Sequence, residues 1–216
     1  VRYQAILFDL DGTLIDSVGD IAHSVNHVRT QLGKAALPIE RVRSYVGDGV
    51  QLLMRRALES DDETLINQAI TLWRPHYAEN CLKETVMYSG IPEMLSSLHS
   101  HGIPMAVVSN KPEGPCRIIL EGLNIAHLFK SVVGGDTTKE RKPHPAPFLL
   151  ALNQMNLTPN KTILVVGDSI NDIEGARVAG LASCSVLWGL GPEEIMHTAQ
   201  HVAEVPSDVV NLMSPV

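Results

Sequence analysis

Cysteine is scarce in this chain, aromatic side chains are few, basic residues are outnumbered and no apolar run is long. The three cysteines, Cys81, Cys116 and Cys184, stand far apart with no CxxC or Cys/His cluster. An odd number without metal-ligand spacing excludes a disulfide framework and points to buried thiols in a reducing compartment. Apolar stretches such as Ile163 to Gly167 fall far short of the roughly 20 residues that span a bilayer. The opening Val1-Arg2-Tyr3-Gln4 runs into acids by Asp9 and does not read as a secretory signal. A cytoplasmic location with no membrane partner is therefore expected. Two Trp, four Tyr and three Phe are too few and too scattered for a base-stacking platform. Seventeen basic against 24 acidic residues leave a net charge of −7, which argues against a nucleic-acid partner. There is also no Walker-type loop, GxGxxG, HExxH or GxSxG motif.

What is present is a globular balance, 44% hydrophobic and 19% charged over 216 residues. That length allows one large domain, or a domain with a modest insertion. Five short β-branched runs stand out: Ala5 to Phe8, Met105 to Val108, Ser131 to Val133, Ile163 to Val166 and Ser183 to Leu187. Their hydrophobicity is continuous rather than alternating, as in parallel strands covered on both faces. Helical stripes lie between them, among them Met94, Leu95 and Leu98, then Ile118, Ile119 and Leu123, then Phe148, Leu149 and Leu152. The alternation predicts an α/β fold built on a doubly wound, Rossmann-like parallel sheet, which binds ligands at the C-terminal ends of its strands.

One region breaks the alternation. Residues 16–83 show only helical patterns: Ile21, Val25, Val28 and Leu32 on one stripe, then Val42, Val46, Leu52, Leu53 and Leu58. A third segment begins at Asp61-Asp62-Glu63 and carries Leu65, Ala69, Leu72 and Trp73. The expectation is a helical cap over 16–83, inserted into a catalytic core of residues 1–15 and 84–216.

The polar residues at the strand ends are the informative ones. The first strand runs into Asp9-Leu10-Asp11-Gly12-Thr13 and the second into Ser109-Asn110-Lys111. After the third come Gly134-Gly135-Asp136 and Arg141-Lys142-Pro143, and the fourth ends in Gly167-Asp168 with Asp172. Two carboxylates so close together call for a counter-ion. Asp9, Asp11 and Asp168 offer the oxygen donors that suit Mg²⁺, while a Ser hydroxyl, exposed N–H groups and a lysine suit a phosphoryl group. An ionised aspartate beside such a cation is a competent nucleophile. Taken singly, each piece also has a plain structural use: Asp-x-Asp-Gly makes a turn, Lys142 suits a solvated loop, and Asp168 and Asp172 suit the cap of a helix. Four consecutive strand ends all supplying one site is what favours chemistry.

With those four motifs the sequence resembles the haloacid dehalogenase superfamily of aspartate-nucleophile phosphatases. Within it the chain is most similar to bacterial phosphoglycolate phosphatases. That similarity rests on Asp11 to Ser17, Tyr45 to Val50, Ser109 to Glu113, Gly134 to Asp136, Arg141 to Pro147 and Gly167 to Ala179. The resemblance implies Asp9 as nucleophile and Asp11 as the acid that protonates the leaving alcohol and then the base that activates water. It implies Mg²⁺ held by the Asp9 carboxylate, the Asp11 carbonyl and Asp168, with Asp172 orienting metal-bound water. Ser109, the Asn110 backbone and the catalytic Lys142 would hold the phosphoryl oxygens, and Thr13 would help set the loop. A second carboxylate at position 11 favours an oxygen leaving group over halide.

The cap implies a small phosphorylated metabolite as partner. Gly47-Asp48-Gly49 interrupts a helical pattern, and its N–H groups could take a carboxylate, so Gly47 and Gly49 are candidate substrate-binding residues for 2-phosphoglycolate. A helix-to-helix connection is the plainer use of the same break, and Asp48 puts an acid beside the supposed anion site. Arg41, Arg43, Arg55 and Arg56 read mainly as solvated face, with one available to a substrate carboxylate. His23/His27 and His197/His201 have the spacing of a helical metal clip but no third ligand nearby, and His144 reads as loop packing. Readings that stay open are a broad sugar-phosphate phosphatase, a pyrophosphatase, a phosphomutase and a non-enzymatic phosphate-binding regulatory module. Either a monomer or a homodimer is compatible with the sequence.

Overall fold

The computed structural model describes residues 3–192 and 198–213; Val1, Arg2 and His197 lie outside them. Strand β1 (Ala5–Phe8) is followed by β2 (Ile15–Asp16) and four helices, α1 (Val18–Gln31), α2 (Ile39–Arg43), α3 (Val50–Leu58) and α4 (Glu63–Asn80). After β3 (Val86–Met87) strands and helices alternate: α5 (Ile91–Ser100), β4 (Met105–Val108), α6 (Glu113–Gly122), β5 (Phe129–Val133), α7 (Ala146–Gln154), β6 (Ile163–Gly167), α8 (Ile170–Val178) and β7 (Ala182–Val186). The described chain closes with β8 (His201–Ala203) and α9 (Pro206–Met213).

Six strands form one sheet in the order β5-β4-β1-β6-β7-β8, every pair parallel. This is the doubly wound α/β fold that the sequence predicts. The continuous hydrophobic runs have the expected cause: alternate residues face opposite helix layers. Ile6, Phe8, Met105, Val107, Leu164 and Val166 belong to one core cluster. Leu7, Ala106, Val108, Ile163 and Val165 belong to the other, against Phe148 and Ala151 of α7 and Ala176 of α8. All four β1 residues are fully buried. Each large side chain buried in this way stabilises the fold by roughly 1.5–3 kcal/mol, so the strand that delivers Asp9 is among the best anchored.

Two features were not legible as strands. β8 has only three residues, and β2 and β3 pair as an antiparallel ribbon of two residues each, Ile15 with Met87 and Asp16 with Val86. Runs that short carry too little periodicity to register. The ribbon stands where the chain leaves the sheet for α1–α4 and where it returns. Inside the helical segment the expected stripe holds, since Ile21, Val25 and Val28 are buried. Asp62 caps α4 by accepting from the Thr64 and Leu65 N–H groups. Among the described residues, no helix is long and apolar enough to cross a membrane.

The α1 helix is tied to the returning segment by one buried acid. The Asp20 carboxylate accepts from the Glu84 N–H at 3.0 Å, the Thr85 N–H at 2.9 Å and the Thr85 hydroxyl at 2.7 Å. Asp20→Ala strips the acceptor from three donors at the base of the helical segment. It is expected to cost about 2–4 kcal/mol, seen as a Tm fall of several degrees in a calorimetric scan.

Candidate active site

The strand order builds the site. β1 lies between β4 and β6, so its C-terminal end, carrying Asp9 and Asp11, sits beside Ser109-Asn110-Lys111 and beside Asp168. The segment between β5 and α7 brings in Lys142, which is only 4% exposed rather than solvated. All the core candidates are buried: Asp9, Asp11, Thr13, Ser109, Asn110, Lys142, Asp168 and Asp172.

Lys142 Nζ lies 2.9 Å from Asp9 Oδ1 and donates to Asp172 Oδ1 at 2.6 Å. Burial by itself penalises the ammonium, but Asp172 and Asp9 outweigh it and the Lys142 pKa is raised. Asp172 fulfils its helix-cap reading and also turns toward the site. Its second oxygen accepts from the Ser169 hydroxyl and N–H as the capping box of α8, while the first faces Lys142. Asp168 accepts from the Leu190 N–H at 2.7 Å and from the Thr13 hydroxyl at 3.4 Å. Glycines close in around it: a Cβ on Gly12 would fall 2.0 Å from Asp168 Oδ2, and one on Gly189 would fall 2.3 Å from Asp168 Cβ. Trp188 Nε1 donates to the Thr13 carbonyl and holds that loop against the site.

Oxygens of Asp9, Asp168 and Asp172 lie within 4.8 Å of one another, the one such acidic or His/Cys group among the described residues. Burial pushes the Asp9 pKa up to about 6, against the pull of Lys142. Burial, then the Asp9 and Asp172 charges, push Asp168 up to about 8. Three crowded, buried, all-oxygen donors with one lysine between two of them leave unbalanced negative charge. That donor set fits a hard divalent cation.

Asp11 takes a different partner. Its carboxylate accepts from Lys111 Nζ at 2.6 and 2.7 Å and from the Ser17 hydroxyl. It is not one of the three clustered acids, so toward a cation its carbonyl is the group the resemblance assigns. Lys111 in turn sits 4.9 Å from the Tyr77 ring centre, close enough for a cation–π contact. Burial disfavours its charge, yet Asp11 and Tyr77 more than compensate and the Lys111 pKa is raised. The Lys111 partnership is absent from the sequence reading. Only its place in the Ser109-Asn110-Lys111 motif marked it.

Above these residues the helical segment closes a cavity. Asp9, Asp11, Ser109, Asn110 and Lys111 form one wall; Ile21, Tyr45, Val46, Gly47, Gly49, Val50, Leu53 and Trp73 form the other. Trp73, which reads in the sequence as a packing residue, lines the cavity. Gly47 and Gly49 do reach the site, and both hold positive φ, 118° and 86°. The Asn110 amide donates to the Gly47 carbonyl at 3.0 Å and to the Lys142 carbonyl at 3.2 Å. None of the four arginines is free, since Arg41 pairs with Glu59, Arg43 with Glu40 and Asp16, Arg55 with Glu63 and Asp61, and Arg56 with Asp48. His23 and His27 stack on His76, with ring centres 5.3 and 3.9 Å apart, without converging as ligands. His144 is exposed and accepts from the Ala146 N–H in its own loop.

A parallel sheet with buried carboxylates gathered at its strand ends, one group of them fitting a cation, and a helical segment over them defines a class, and comparison with known proteins agrees. Residues 6–186 match the model of the haloacid dehalogenase-like hydrolase family, and the chain belongs to that family. It is 39% identical over 210 residues to a phosphoglycolate phosphatase of Aquifex aeolicus, covering 97% of this chain and 96% of that one. It is 38% identical over 193 residues to a phosphoglycolate phosphatase of Colwellia psychrerythraea, covering 86% and 85%. The crystal structure of a predicted phosphoglycolate phosphatase from Haemophilus somnus superimposes with a TM-score of 0.91 at 31% identity, covering 99% of each chain.

The raised carboxyl pKa values have a thermodynamic consequence. Between about pH 4 and 8 Asp9 and Asp168 together hold more protons in the folded, metal-free protein than in the unfolded chain. The stability from these two groups is therefore present at low pH and lost as pH rises through their folded values. A divalent cation needs the deprotonated oxygens. Calorimetric titration of Mg²⁺ should give a Kd about tenfold or more weaker at pH 6 than at pH 8, and the Mg²⁺-induced rise in Tm should be larger at pH 8. Equal affinities at the two pH values would contradict the assignment of the cluster.

Proposed function

We propose that the chain is a Mg²⁺-dependent phosphomonoester hydrolase that works through an aspartyl-phosphate on Asp9, with 2-phosphoglycolate as substrate. The observation that carries this reading is the division of labour at the end of β1. Asp9 faces the acid cluster and Lys142, while Asp11, two residues on, is held apart from that cluster by Lys111 and Ser17. The names of the relatives support the substrate. Residues 16–83 act in this reading as a cap over a core of residues 1–15 and 84–216.

In the first step an Asp9 oxygen attacks phosphorus, the P–O bond to the alcohol breaks, and Asp11 gives the departing oxygen a proton. Lys142, the Ser109 hydroxyl and the Asn110 N–H hold the remaining phosphoryl oxygens, and stabilise charge that spreads over them in the transition state. In the second step Asp11 takes a proton from water, the water oxygen attacks phosphorus, and phosphate leaves with the Asp9 carboxylate restored. Asp9, Asp168 and the Asp11 carbonyl would hold Mg²⁺, with Asp172 orienting its water, and the ion would supply the positive charge that lets an anionic nucleophile approach an anionic ester. An arriving phosphate dianion competes with Asp11 for the Lys111 ammonium. Thr13 keeps Asp168 in place, and the cap excludes bulk water and limits the leaving group to a small one. Gly47 and Gly49 present backbone to the carboxylate end of the substrate.

Asp9→Asn is expected to abolish phosphate release while leaving the circular dichroism spectrum and Tm close to those of the wild type. Asp11→Asn should lower kcat by roughly 10²–10⁴. Near-normal turnover by Asp9→Asn would rule out the aspartyl-phosphate scheme.

Substrate choice is tested by kcat/KM for Mg²⁺-dependent phosphate release across 2-phosphoglycolate, sugar phosphates, nucleotides, pyrophosphate and an aryl phosphate. A clear preference for 2-phosphoglycolate is expected. A Cβ at Gly49 would lie 3.1 Å from the Asn110 carbonyl on a backbone of positive φ. Gly49→Ala should therefore lower kcat/KM for 2-phosphoglycolate about tenfold more than for the aryl phosphate, and equal losses would remove the loop from substrate recognition.

A further inference from the structure

Asp48 is the residue that the catalytic scheme leaves without a purpose: an acid between two glycines of a loop assigned to meet an anion. Its carboxylate does not face the cavity unengaged, because each oxygen has its own partner. Arg56 Nη1 of α3 lies 2.6 Å from Oδ2, and Asn171 Nδ2 of α8 donates to Oδ1 at 2.8 Å. Arg56 is on the helical segment and Asn171 is on the core, so the carboxylate bridges the two. A carboxylate is an acceptor at both oxygens and can answer two donors on opposite sides at once, and bonds to its charge are the stronger kind. Asn171 also reaches the loop backbone, and Asn110 joins it there: their amides donate to the Gly47 carbonyl at 3.5 and 3.0 Å. Both anchors stand next to working positions, Asn110 after Ser109 and Asn171 before Asp172.

We propose that Asp48 is a positioning residue: held by Arg56 and bonded to Asn171, it sets the closed register in which the Gly47–Gly49 backbone covers the strand ends. Arg56 also balances the acid, so the loop's N–H groups meet a substrate anion without a free negative charge beside them. The proposal rests on the reading of this loop as the substrate-facing edge of the cap. A purely local role, an acid near the N-terminus of α3 that complements its dipole, would involve Asn171 in nothing. Coupling between Asp48 and Asn171 is therefore what distinguishes the two.

The test is a double-mutant cycle of Asp48→Ala and Asn171→Ala, with Asp48→Asn as the conservative variant, read by steady-state kinetics and by hydrogen exchange of residues 45–53 in substrate-free protein. Each single substitution is expected to raise KM for 2-phosphoglycolate about tenfold with kcat changed less than threefold, and to speed exchange in that segment. The double variant should do no more than the worse single, and Asp48→Asn, which keeps an acceptor toward Asn171, should recover most of the KM. Effects that multiply in the double variant, a loss in kcat with KM unmoved, or unchanged exchange would overturn the proposal. The exchange measurement is read whether or not turnover is seen. Absence of phosphate release by the wild-type protein would refute the phosphatase reading, while uncoupled exchange would refute the bridge.

Discussion

Four carboxylates, Asp9, Asp11, Asp168 and Asp172, are buried within one cluster of strand ends, and holding them there is the constraint that the rest of the molecule answers. Bringing such groups out of water is expensive unless charge and hydrogen bonds meet them. Two buried lysines do part of that work, Lys142 between Asp9 and Asp172 and Lys111 on Asp11. Backbone and hydroxyl donors do more: Leu190 and Thr13 on Asp168, Ser169 on Asp172 and Ser17 on Asp11. What remains is crowded carboxylate charge among Asp9, Asp168 and Asp172, with burial foremost in raising the Asp9 and Asp168 pKa values. What is left after the protein's own counter-charges have been placed is an acid cluster that fits a divalent cation.

The fold supplies the rigidity this requires. A strand buried on both faces, with neighbours on both edges, cannot shift without disturbing two cores, so the carboxylates at its end keep their spacing. Glycines let the backbone crowd Asp168 where any side chain would collide with it. The helical segment is attached differently, through the two-residue ribbon, the Asp20 hydrogen bonds and the loop at Gly47. Apolar packing adds to these ties, since Ile21, Val25 and Trp73 share a core cluster with Ile6 and Phe8 of β1.

Much of this was legible in the residues themselves. Strands β1, β4 and β6 announce themselves because burial on both faces leaves no polar side chain in the run, and the helical stripe of α1 is where its periodicity puts it. The tiny strands β2, β3 and β8 left no pattern, because pairing rather than composition makes them strands. The acids and the Ser109-Asn110-Lys111 turn stood out by their position after apolar runs. Lys142 stood out only in company, since a lysine before a proline is ordinary until its neighbours in space are known.

The sequence by itself determined the layered α/β architecture, the helical interruption between the first strand and the next, and the set of polar residues available at the strand ends. These follow from local periodicity and from which runs lack polar groups, properties that each segment carries alone. Only the tertiary structure decided the partnerships: Lys111 with Asp11 and not with a phosphate pocket at large, Asp172 shared between Ser169 and Lys142, Tyr77 beside Lys111, and Asp48 turned to Arg56 and Asn171. Among them, Lys142–Asp172, Lys111–Asp11 and Asp48–Asn171 join positions 30, 100 and 123 residues apart. They are selected by desolvation, because a buried charge takes the nearest opposite charge or donor that the finished packing brings to it, and no local pattern records which one that is.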